Sequence, residues 1–228
     1  APLSAVAIPL SPTVRHSQIP PLTLRGTNYF PGDLPDPHGQ ELDLMASLNM
    51  NSFRTFLPFD PESDGVRPDG AATADYVARV HALLTAAEGR KLKVILCPSG
   101  LPSAGDAADA GRRFLRTIIE PFAYDGRVLM WDLSAATQET SAEASPEFAR
   151  LWAELERAAP DHLRTTTTPW DAAPLWGLGV KPPVAQFHVF SETVGVQPEG
   201  APPVRNLADD LRMVRDLIGP RPVILGAF

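Results

Sequence analysis

Any chemistry in this chain would have to come from a few charged and aromatic side chains set beside β-rich runs. Asp60, Asp132, Glu139 and Glu192 fall near the ends of such runs, and Arg54 and His188 lie within two of them. Trp170 follows Pro169 just past another run, with Trp176 soon after. Two carboxyls held close together can divide nucleophilic and acid/base work, but a carboxylate alone in a loop is usually just solvated. Arg54 could orient an anion or simply close a salt bridge. His188 could touch a ligand or be a hydrogen-bonded histidine of a packed strand. The tryptophans could stack on a ligand or fill a core. His16, His38, His81 and His162 are scattered without metal-ligand spacing, so no metal site is expected. Neither a Gly-x-Ser-x-Gly elbow nor a phosphate-binding Gly-x4-Gly-Lys loop is present, and no cofactor is expected. The single cysteine, Cys97, excludes an internal disulfide and a cysteine-rich metal site; in its apolar run it reads as an inert buried thiol.

The chain behind these residues is of ordinary globular composition. Its 228 residues allow one domain or one and a half. Lys and Arg number 20 against 27 Asp and Glu, a formal charge of −7, with no block of basic residues. That balance argues against nucleic acid or an anionic membrane as partner. No apolar run approaches the roughly 20 residues that span a bilayer. The start, Ala5-Val6-Ala7, resembles the small-x-small end of a secretory signal, which is compatible with a secreted or periplasmic location without establishing one.

Strand and helix patterns alternate along the chain. Residues 22–30, 52–57, 92–97, 128–133, 163–168, 184–190 and 222–226 read as strands. Residues 39–49, 75–90, 106–122, 145–158 and 206–217 carry the 3- and 4-residue apolar spacing of amphipathic helices. In the fourth of these, Ser145 stands as N-cap and Pro146 at the first helical position. The alternation predicts parallel strands covered by helices, and its length predicts a TIM-type (β/α)8 barrel in which seven strands are readable and the eighth is not. The expected division is an N-terminal extension over 1–21 and a barrel over 22–228, incomplete at its C-terminal end. The spare apolar run 6–10 contains a proline and makes a poor central strand.

Five short motifs, in order, carry a resemblance. They are Arg25-Gly26-Thr27-Asn28-Tyr29-Phe30, Leu48-Asn49-Met50-Asn51-Ser52-Phe53-Arg54, Arg127-Val128-Leu129-Met130-Trp131-Asp132-Leu133, Phe187-His188-Val189-Phe190 and Arg221-Pro222-Val223-Ile224-Leu225-Gly226. Together they resemble strands one, two, four, six and seven of the retaining glycoside hydrolases of clan A, nearest to family 5, the cellulase and mannanase family. That chemistry needs two carboxyls about 5 to 5.5 Å apart, one as nucleophile and one as acid/base, at the C-terminal ends of strands four and seven.

The resemblance fails where the chemistry should sit. The family's fourth strand ends Trp-Glu-Leu-x-Asn-Glu-Pro; here the run is Trp131-Asp132-Leu133-Ser134-Ala135-Ala136-Thr137. The supporting Asn position is therefore Ala135 and the acid/base position is Ala136. The seventh strand ends Gly-Glu-Phe in the family and Gly226-Ala227-Phe228 here, so the nucleophile position is Ala227. A methyl group can neither attack an anomeric carbon nor donate a proton.

The resemblance further implies that Arg54 would orient the nucleophile, and without that Glu another anion or water should fill the space beside it. It also implies that His188 would contact substrate and that Phe190 stands where the family often has Tyr. Trp170, Asn28 and Tyr29 would line the cleft, with Trp131 in the core. The expected partner is an oligo- or polysaccharide, bound in a cleft that has lost its catalytic groups. A barrel with no ligand, and an active hydrolase using Glu139 or Glu192 as rescue carboxylates, are the alternatives. The oligomeric state is left open.

Overall fold

The structure, a computed structural model, describes residues 24–30, 39–102, 105–133, 145–167, 182–188, 216 and 223–227. Its strands are β1 (Gly26–Tyr29), β2 (Ser52–Pro58), β3 (Lys93–Ser99), β4 (Val128–Asp132), β5 (Leu163–Thr167), β6 (Val184–His188) and β7 (Val223–Ala227). The helices between them are α1 (Gln40–Ser47), α2 (Ala74–Glu88), α3 (Gly105–Ile119) and α4 (Ser145–Ala158), with a short 3-10 turn over Glu120–Phe122. All seven strands are parallel and pair in sequence order, β1 through β7. Among the described residues, no ladder joins β7 back to β1. The architecture is the α/β barrel expected from the alternation, with seven strands in the described part. The predicted helix over 206–217 and the spare run 6–10 lie outside the described residues, apart from helical Asp216.

The helices form where apolar spacing gives them a face to bury. In α2, Tyr76, Val80, Leu83, Leu84 and Ala87 are buried along one stripe. The Thr73 hydroxyl caps its start by accepting from the Tyr76 amide at 3.2 Å, which satisfies a donor that has no partner inside the helix. Leu151, Trp152 and Leu155 are likewise buried along α4, with Ala159 buried just past its end. Arg112 on α3 and Arg150 on α4 both donate to the buried carboxylate of Glu147 at the start of α4.

Strand alternation separates two faces. Phe53 and Leu57 of β2, Val94 and Leu96 of β3, and Trp131 and Leu133 at β4 join the helices in one apolar cluster. The intervening residues Arg54, Ile95, Cys97, Met130 and Asp132 are equally buried but belong to the other, inner face. A bulge keeps β4 in phase: Val94 pairs with Val128 but Ile95 pairs with Met130. Val128 can therefore pack outward like Val94, while Met130 and Asp132 share a face with Ile95. Among the described residues, no helix is long and apolar enough to cross a membrane.

Candidate functional site

Among the described residues, the inner face carries a buried polar cluster near the C-terminal ends of the strands. Arg54 comes from the middle of β2, Asp132 is the last residue of β4, and Gln186 is the third of β6. They are 6 %, 0 % and 1 % exposed. Arg54 Nε donates to Asp132 Oδ2 at 2.6 Å, and Gln186 Nε2 donates to the same oxygen at 2.9 Å. Arg54 Nη2 donates to Cys97 Sγ at 3.2 Å, and Nη1 reaches Asn28 Oδ1 at 3.5 Å. The guanidinium also lies over the Phe56 ring, 4.5 Å from its centroid. Groups from five strands, β1, β2, β3, β4 and β6, thus converge on one cation and its counter-ion.

Physically, this is a closed ion pair. Burying a guanidinium or a carboxylate alone is costly, and the two are tolerated together because they pair and because hydrogen bonds use their remaining valences. Arg54 is the residue that the family resemblance would assign to orienting a nucleophile. Here an anion from β4 takes its Nε–H. That anion is Asp132, the residue aligned with the Glu of the family's Trp-Glu-Leu. Oδ2 of Asp132 thus receives two donors, from β2 and from β6.

The other residues singled out in the sequence divide into three groups. Asn28 joins the cluster through its contact with Arg54. Tyr29, expected to line the cleft, is only 4 % exposed and packs edge-on against Phe53 in the layer between sheet and helices, because alternation along β1 turns it opposite to Asn28. Its neighbour Phe30 is the aromatic that reaches solvent. Asp60 sits in the loop after β2, where its carboxylate accepts the Glu62 amide at 3.0 Å and stabilises the turn. Trp131 is fully buried, and its indole N–H donates to His162 Nδ1 at 3.0 Å. Ala227 closes β7 and pairs in register with His188, the last residue of β6. The two positions that the family resemblance assigns to the nucleophile and to a substrate-contacting histidine are therefore adjacent in the sheet. Ala135, Ala136, Glu139, Trp170, Trp176, Phe190 and Glu192 lie outside the described residues.

Gln186, Phe56 and the thiol of Cys97 are members of the cluster that sequence reading did not bring together. Gln186 left a signal, as a lone amide in the otherwise apolar Val184-Ala185-Gln186-Phe187. Phe56 and Cys97 left none beyond their strand phase. Among the described residues, no group of three or more His, Cys, Asp or Glu could hold a metal ion.

Solved structures share this arrangement of strands and helices. An endocellulase of Pyrococcus horikoshii, solved as an alanine variant with cellotetraose, superposes with a TM-score of 0.61 at 17 % identity, over 90 % of this chain and 74 % of that one. A glycoside hydrolase family 5 enzyme of Prevotella bryantii gives 0.63 at 11 % identity, over 88 % and 74 %. A broad-specificity endoglucanase of Clostridium cellulovorans gives 0.63 at 15 % identity, over 86 % and 68 %. The chain has the barrel fold of family 5 glycoside hydrolases. No protein-family profile matches it, and no curated protein sequence does. At these identities the likeness establishes the fold, and function has to be argued from the site.

Proposed function

We propose that this chain is a β-glycanase-type barrel that binds carbohydrate without cleaving it. The observation that carries the reading is alanine at positions 136 and 227, where the family resemblance puts the two carboxyls that double displacement requires. The pairing of Arg54 with Asp132 at 2.6 Å is compatible with it, because the guanidinium already has an anionic partner. The fold neighbours support carbohydrate as the ligand class: one was solved with cellotetraose and another, from Streptomyces cattleya, with a mannosyl-β1,4-N-acetylglucosamine disaccharide.

The test is hydrolysis of aryl β-glycosides and soluble β-glucans and mannans, paired with binding of the same sugars measured calorimetrically. The chain should be run beside a variant carrying Ala135→Asn, Ala136→Glu and Ala227→Glu. Binding without turnover by the unmutated chain is the expected result, with turnover confined to the variant. Turnover by the unmutated chain would overturn the reading and make Glu139 and Glu192 the first residues to replace with Gln. Absence of both binding and turnover would leave a scaffold without a ligand.

A further inference from the structure

His162 is a buried histidine that the inner cluster does not use. It ends the short connection Ala159-Pro160-Asp161-His162 between α4 and β5, and it is 9 % exposed. Trp131 of β4, fully buried in the layer between sheet and helices, donates its indole N–H to His162 Nδ1 at 3.0 Å. An indole nitrogen only donates, so Nδ1 must offer a lone pair, and His162 is held there as the neutral imidazole. The connection is gripped from β5 as well. Arg164 Nη1 donates to the Ala159, Pro160 and His162 carbonyls at 3.2, 3.1 and 3.2 Å.

A proton on Nδ1 would set two N–H donors against each other in this closed joint, leaving both unsatisfied. The charged groups on the surrounding elements give that proton little help. Arg164 of β5 adds a second cation and already occupies the carbonyls just past the end of α4. On α4, Glu156 lies 3.7 Å from Arg164 Nη2, and Arg157 donates to Glu154. Asp161 is exposed on the connection, where water screens it. Asp132 of β4 turns to the inner face, where Arg54 holds it. We propose that the Trp131–His162 hydrogen bond is an acid-released latch: neutral His162 keeps the end of α4 fastened to β4, and protonation of His162 opens the joint. The closed joint excludes the proton and the open joint admits it. In the open joint His162 titrates near the ordinary histidine value of about 6.5. The open population should therefore be constant above that pH and rise about 10-fold per pH unit below it. The latch works whether or not the chain binds sugar. It lies one residue along β4 from Asp132, on the opposite face of the strand.

The experiment is amide hydrogen exchange of the intact chain between about pH 7.5 and about pH 5, corrected for the intrinsic chemical rate, so that it reads the population of locally open states. Peptides covering residues 155–164 should show an opening constant that is flat down to about pH 6.5 and then rises about 10-fold per unit. The β2 amides 53–57 should stay flat over the same range. His162→Asn places an amide oxygen near the position of Nδ1 and does not titrate, so the rise should vanish; His162→Gln offers the same acceptor on a longer arm and should also lose it. The unmutated chain alone decides whether the rise exists and is local. A flat profile over 155–164 in that chain would overturn the latch. So would a rise shared equally by β2, which would be global unfolding in acid. An undiminished rise in either His162 variant would overturn it too, because a group other than His162 would then be taking the proton.

Discussion

Arg54 and Asp132 decide what the inner face can do. A buried pair of this kind contributes little net stability against an apolar pair of the same shape, yet removal of one member leaves an uncompensated charge. Asp132→Asn should therefore destabilise the fold by about 3–5 kcal/mol, measured by urea denaturation. The double variant Arg54→Met with Asp132→Leu should recover most of that loss. A double variant no more stable than Asp132→Asn alone would mean that the pair is needed for packing and not merely for charge balance. Arg54 was legible in the sequence because it closes the second-strand motif Leu48–Arg54 that carries the family resemblance. Asp132 was visible as a member of the fourth-strand motif and as one of several carboxylates near strand ends, and nothing in the sequence pointed to its partner. Its partnership depends on the bulge that sets Ile95 against Met130, and periodicity cannot supply a one-residue shift of that kind. Gln186 belongs to a strand two places further round the sheet, and sequence spacing carries no information about that contact.

At the scale of elements, periodic apolar spacing predicted each described helix, and the differences lie at the ends, where single backbone groups decide. The expected helix over 39–49 stops at Ser47, since Asn49 takes a left-handed conformation (φ 60°) and its carbonyl accepts from Arg25 Nε at 3.0 Å. The third strand runs on through Pro98 to Ser99, because these residues pair only with Leu57 and Pro58 of β2, beyond the last recorded pair with β4. A proline is tolerated where one side of the ladder has ended. The loop between β2 and α2 contains a stricter requirement. Gly70 has φ +88°, and a Cβ there would lie 2.5 Å from Ala110 Cβ and 2.7 Å from the Ala110 carbonyl oxygen on α3. Arg113 of α3 donates to the Asp69 carbonyl beside it at 2.6 Å, so the loop cannot simply swing away. Gly70→Ala combines a left-handed penalty with a backbone clash and should cost about 1–3 kcal/mol, read as a shift of the urea midpoint. The same substitution at Gly89, where φ is −57° and the nearest contact is at 3.7 Å, should be neutral or mildly stabilising. Equal effects at the two glycines would remove the conformational argument.

Across the whole molecule, charge is sorted by place. Among the described residues, the Arg54–Asp132 pair is held inside near the C-terminal strand ends, while pairs such as Arg127–Asp125 and Arg116–Glu154 brace the opposite end and the helical layer. Asp125, just before β4, pairs with Arg127, which also reaches Thr85 of α2 at 2.9 Å. Glu154 of α4 accepts from Arg116 of α3 and from Arg157. Burial by itself would raise the carboxyl pKa of Asp125 and of Glu154. The hydrogen bonds and charges of the arginines outweigh it, and both groups are held below their usual values. A carboxyl depressed in the folded state contributes stability above its unfolded pKa, about 4, and that contribution drains away as pH falls through the folded value. The barrel should accordingly lose melting temperature as pH is lowered from about 5 to about 3. Asp125→Asn and Glu154→Gln should each melt lower than the unmutated chain at neutral pH and converge on it in acid, because protonation removes the same charge that the substitution removes. Calorimetric melting curves across that range check the sign. A gap between variant and parent that stays constant with pH would assign these carboxylates a role in packing alone. Convergence would mean that the ion pairs beneath the strands and across α3 and α4 respond to acid on their own, without involving the buried pair near the other end of the barrel.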